Sequence, residues 1–98
     1  MGKINDIYEV TLSDTAIEQL QWMPLYIKEK LYKWVEQVKL LGLSEVRKIK
    51  GYNDESLKGK RAGERSIRLN KAYRAIYFIQ KDQTIKFVKI KEVNKHDY

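Results

Sequence analysis

The 98-residue chain is predicted to fold as a single α+β domain, and three observations carry that prediction. Residues 4–12 alternate apolar and polar side chains as a strand does. Residues 24–41 repeat apolar side chains at helical spacing, and three short alternating runs crowd together after residue 64. The resulting order of strand, two helices and a three-strand meander places both helices on one face of an antiparallel sheet.

Each element has a local reason. In the first strand Tyr8, Val10 and Leu12 share a face. Ser13 or Asp14 then supplies a side-chain oxygen for the free amides of a short helix that runs to about Trp22, with Ala16, Ile17 and Leu20 as its apolar side. Pro24 suits the first turn of the second helix, where a missing N–H costs nothing. Ile27, Leu31, Trp34, Val35, Val38 and Leu41 make that helix's core stripe, with Glu29 and Lys33 an i, i+4 step apart on the solvated side, and Gly42 ends it. Residues 43–64 read as loop, with Val46 and Ile49 adding a short helical turn. Strands follow at about 64–69, 73–80 and 84–93. Asn70-Lys71 links the first two through a left-handed turn residue, and the link at Lys81 to Gln83 is short and polar. Both faces of residues 73–79 are largely apolar, so the pattern leaves open which one meets the helices.

Composition narrows the chemistry. The chain has no cysteine and one histidine, which leaves no Cys- or His-cluster metal centre and fits a reducing, cytoplasmic setting. Lysines interrupt the longest apolar helix, so no bilayer span is expected; no signal-peptide core is seen, and Asp6 stands where a myristoylation site needs Ser or Thr. The net charge of +7 is uneven. Residues 1–41 hold five Lys against six acids, whereas residues 42–98 hold fifteen Lys or Arg against seven. That asymmetry points to a polyanionic partner for the second half.

On the strands, Ser66, Arg68 and Asn70 share one face, and Arg74 lies with Ile76 and Phe78. A hairpin turning at Asn70-Lys71 brings Arg68 and Arg74 together, where guanidinium groups would grip a phosphate. Lys58, Lys60, Arg61 and Arg65 in the preceding loop, and Lys86, Lys89, Lys91 and Lys95 on the last strand, extend a basic track. His96 is the one side chain with an ordinary pKa near neutrality. Internal RNA cleavage needs a base for the 2′-OH, cations for the phosphorane charge and an acid for the leaving oxygen. His96 serves as base or acid, Arg68 and Arg74 as cations, and Tyr98 takes the remaining role or stacks on a base. Asp97 orients His96 or raises its pKa.

The segments Leu57-Lys58-Gly59, Ser66-Ile67-Arg68-Leu69-Asn70, Tyr73-Arg74 with Tyr77-Phe78, and Glu92-Val93 leading to His96-Asp97-Tyr98 resemble the RelE/ParE superfamily of toxins from type II toxin–antitoxin pairs, nearest its HigB-like, plasmid-maintenance branch. The resemblance implies a microbial ribonuclease-like fold and a ribosome-dependent mRNA endoribonuclease that blocks translation without a metal or other cofactor. It assigns Arg68 and Arg74 to the scissile phosphate, the terminal acid/base and tyrosine functions to His96 and Tyr98, and RNA or ribosome binding to Lys58, Lys60, Arg61 and Arg65. It also implies a cognate antitoxin with a helix-turn-helix, operator DNA being bound only through the toxin–antitoxin complex. Many HigB proteins end Asp-Tyr-His where this chain has His-Asp-Tyr, and the central loop lacks the histidine some relatives place there. A ParE-like gyrase inhibitor and a non-catalytic RNA-binding module are the competing readings.

Overall fold

Ser13 decides where the first helix begins. In the computed structural model, which describes residues 6–95, its side chain accepts a hydrogen bond from the Ala16 amide at 3.0 Å and donates to the Lys91 carbonyl at 2.6 Å. One hydroxyl thus caps α1 (Asp14–Gln21) and ties it to a strand. Pro24 occupies the cap position just before α2 (Leu25–Leu41), one residue earlier than expected, and its carbonyl accepts from Ile27 and Lys28. The predicted stripe is buried through Ile27, Leu31, Trp34, Val35 and Val38, while Leu41 is half exposed. Trp34 packs on Tyr77 of the sheet with ring centroids 5.2 Å apart.

Among the described residues five strands form one sheet: β1 (Val10–Leu12), β2 (Glu55–Ser56), β3 (Glu64–Arg68), β4 (Tyr73–Asp82) and β5 (Ile85–Lys95), in the spatial order β1-β5-β4-β3-β2. The predicted meander β3-β4-β5 is antiparallel throughout. Two expectations need correction. The first strand is only three residues long and lies parallel to β5, so the sheet is mixed: helices intervene between the two strands, and a crossover of that length permits parallel pairing. Asn70 does not take a left-handed backbone; among the described non-glycine residues only Asn53 and Gln83 do. Instead its side-chain oxygen accepts from the amides of Ala72 at 2.7 Å and Tyr73 at 2.8 Å, closing the turn from outside the main chain.

The question of faces is settled by the core. Ile67, Ala75, Tyr77, Val88, Ile90 and Val93 join Ala16, Leu20 and the α2 stripe, so these residues face the helices. Arg68, Arg74, Ile76 and Phe78 face away. The short helix α3 (Leu43–Val46) continues from α2 through Gly42, whose φ of 87° and ψ of 150° belong to a region open essentially to glycine alone. A Cβ there would stand 2.4 Å from an Asp6 carboxylate oxygen, and that carboxylate holds both the amide and the hydroxyl of Ser44. Gly42→Ala is therefore expected to lower stability by about 1–3 kcal/mol. Urea unfolding measures the loss, and an unchanged midpoint would show that the α2–α3 corner relaxes freely.

Candidate active site

The site grows from strand register. Arg68 on β3 lies directly opposite Arg74 on β4, and Arg74 lies opposite Asn94 on β5. Opposed residues on one face have Cβ atoms about 5 Å apart, a distance at which like charges repel. Neither arginine has a carboxylate partner within ion-pair distance among the described residues, and Arg74 Nε is buried without a hydrogen-bond partner. An orphaned guanidinium N–H is costly unless something accepts from it, and an anion supplies that acceptor.

Around the pair lies a cleft of about 80 Å³ lined by Asn53, Glu55, Ser66, Ile67, Arg68, Asn70, Lys71, Tyr73 and Arg74. The Asn70 side-chain turn sets one rim. The other comes from residues 53–56, where Asn53 adopts φ 45° and ψ 49° and swings the chain back toward β3. Alternation then sends Asp54 beneath the sheet and Glu55 onto the cleft side, opposite Ser66. Asp54, only 1% exposed at its side chain, accepts from Arg65 Nε at 2.6 Å and from the Tyr77 hydroxyl at 2.5 Å. Arg47 Nε donates to the same hydroxyl at 3.3 Å. Burial, followed by donation to Asp54, pushes the Tyr77 phenol up to about 12.

Predicted site residues divide four ways. Arg68 and Arg74 come together in the cleft, while Lys58 and Lys60 are exposed on the loop and Lys95 is exposed near the end of β5. Lys89 is half exposed on the face away from the helices, opposite Phe78. Arg61, Arg65 and Lys91 are held by carboxylates: Arg61 by Glu64 at 2.7 Å and by Glu92, Lys91 by Glu64 at 2.6 Å, and Arg65 by Asp54. Hydrogen bonding from Lys91, then Arg61, holds Glu64 below the usual carboxylate range, and Arg61 does the same for Glu92. His96, Asp97 and Tyr98 lie outside the described residues. Sequence reasoning missed Asn53 and Glu55. Their signal was the polar run Tyr52-Asn53-Asp54-Glu55-Ser56, an acid-bearing stretch just ahead of the basic loop.

No family model matches the chain, and no curated protein matches it either. Solved structures do. A YoeB/ParE toxin from Agrobacterium tumefaciens superposes with a TM-score of 0.65 at 17% identity, covering 91% of this chain and 99% of that one. The RelBE2 toxin–antitoxin complex from Mycobacterium tuberculosis gives 0.57 at 24% identity over 92% and 99%, and the E. coli DinJ–YafQ toxin–antitoxin complex 0.64 at 16% over 92% and 94%. The chain has the RelE/ParE toxin fold. Within that fold, Arg68 and Arg74 sit on the sheet face opposite the helices, and Glu55 enters the same cleft from the edge strand.

The two polar networks, one on each face of the sheet, predict two pH limits. Tyr77 has its pKa raised above the ordinary 10, so its contribution to stability is complete below pH 10 and is lost as pH climbs toward about 12. Ultraviolet phenolate titration should show a component near pH 12 in the folded protein that vanishes in Tyr77→Phe, beside the Tyr52 phenol that burial also raises. All phenols titrating together while the far-ultraviolet dichroism stays native would contradict it. Glu64 and Glu92 are depressed, so their contribution is present above the ordinary 4.5 and lost as pH falls below it. Glu92→Gln should flatten that acid limb of the stability curve, and an unchanged limb would remove Glu92 from the account.

Proposed function

We propose that this protein is the toxin of a toxin–antitoxin pair, of the HigB-like branch its motifs resemble, and that it cleaves translated mRNA on the ribosome by 2′-OH attack. The observation that carries the reading is the opposed pair Arg68 and Arg74: both line a cleft that also holds the Glu55 carboxylate, and Arg74 Nε is buried without a hydrogen-bond partner. The fold shared with YoeB, YafQ and RelE toxins supports it.

The chemistry asks for three services. Arg68 and Arg74 hold the scissile phosphate and stabilise charge as the 2′-oxygen adds to phosphorus. A base removes the 2′-OH proton, the bond to the 5′-oxygen breaks, and an acid protonates that oxygen, leaving a 2′,3′-cyclic phosphate. Glu55 is the carboxylate already in the cleft, and His96 and Tyr98 are the remaining proton-transfer groups, with Asp97 to orient the imidazole. Lys58, Lys60, Lys89 and Lys95 are the cations left to follow the RNA or ribosomal backbone. The chain's net +7 suits an acidic antitoxin.

Induction in cells followed by primer extension on an abundant translated message tests the proposal. Discrete cuts within the reading frame are expected, reduced at least about 100-fold in Arg74→Ala and in whichever of Glu55→Gln and His96→Ala removes the base or acid. Growth arrest with intact messages would sink the nuclease and direct the search to gyrase.

A further inference from the structure

The sheet face that carries the cleft continues along β4 and β5 beyond it. After Arg74 comes Ile76, which is fully buried although it lies on the side away from the helices and outside their core. Its cover is the bridge made by Arg61, which joins Glu64 opposite Phe78 to Glu92 opposite Ile76 and so must pass across β4. Past the bridge, Phe78 faces Lys89 and Gln80 faces Phe87. These four side chains form a square with a ring at two opposite corners and a polar group at the other two. All four are half exposed, and neither ring belongs to the helix-side core. Diagonal neighbours in a ladder lie within reach of aromatic side chains, so the rings make one adjoining surface.

We propose that Phe78 and Phe87 are a stacking platform for bases of single-stranded RNA whose backbone enters the Arg68–Arg74 cleft. The inference rests on the RNA-cleavage reading above and extends it to where the substrate lies. Phe78 is about 13 Å along the strand from Arg74, and Phe87, opposite Gln80, about 20 Å. That places the platform a few nucleotides from the gripped phosphate. A base presents an aromatic face whatever its identity, and rings on an open sheet face satisfy it without sequence demands. Lys89 stands at the corner between the rings to meet a phosphate, and Gln80 offers an amide to a base edge. The aromatic residues more exposed than these among the described residues, Trp22, Tyr26 and Tyr32, lie in or beside the helices and carry no comparable path to the cleft.

The test is fluorescence anisotropy with a short, labelled 2′-O-methyl oligoribonucleotide, which cannot be cut, titrated at several salt concentrations against wild type, Phe78→Leu, Phe87→Leu and Arg74→Ala. Each leucine variant should keep its melting temperature and weaken binding about tenfold, with an unchanged salt dependence, because stacking and not charge is lost. Abasic substitution in the oligonucleotide should cost wild type as much and the leucine variants little more. Arg74→Ala should instead flatten the salt dependence. Leucine variants that bind like wild type while Arg74→Ala binds weakly would overturn the platform and leave the cleft intact. Absence of binding by wild type even at low salt would overturn it as well, whereas the nuclease reading stands or falls on cuts in cellular messages. Unchanged RNA affinity with loss of binding to a co-expressed antitoxin would make this face a protein interface and overturn the proposal.

Discussion

Two guanidinium groups face each other across a hairpin, and the protein has to hold them there against their own repulsion. Arg68 and Arg74 are fixed by register, so neither can leave without shifting the whole β3–β4 ladder. A one-residue slip would carry Ile67 and Ala75 out of the core, so the packing beneath enforces the charge pairing above. The energy that core burial supplies is in part stored as an unsatisfied site awaiting an anion.

The sheet is therefore built with two different interiors. On the helix side, apolar packing around Trp34 and Tyr77 is interrupted at one edge by Asp54, Arg65, Tyr77 and Arg47, which anchor the two-residue strand β2. On the other side, Arg61, Glu64, Glu92 and Lys91 form an ionic lattice over Ile76. These ion pairs are partly exposed, and their value lies more in fixing the basic loop than in net stability. Both networks consume cations that the sequence presents as free.

That consumption explains much of what the sequence did and did not disclose. Helices and the three-strand meander were legible because Ile27 to Val38 and residues 64–93 carry strong periods and clear stops. The face of β4 was illegible because Ile76 is as apolar as its helix-facing neighbours; it is buried by a salt-bridge lattice, which leaves no periodic trace. Arg68 and Arg74 could be paired from the hairpin alone. Glu55 could not be placed, since a two-residue strand has no alternation to read and its direction depends on Asn53. Counting Arg61, Arg65 and Lys91 toward a polyanion track was natural in one dimension, because their carboxylate partners Glu92, Asp54 and Glu64 become neighbours mostly through tertiary pairing. The parallel placement of β1 was likewise invisible, as local pattern says nothing of strand direction.

Parallel pairing of β1 with β5 has a consequence in time. Val10 waits for Val88 and the Ser13 hydroxyl for the Lys91 carbonyl, so β1 stays unpartnered until β5, more than seventy residues later, has been made. Closure between such distant segments is entropically late and slow. A nascent chain halted at β4 lacks both the central partner of that strand and the seat of β1, so the sheet carrying the cleft is still incomplete at that point. Topology thus makes assembly of the cleft-bearing sheet wait on β5.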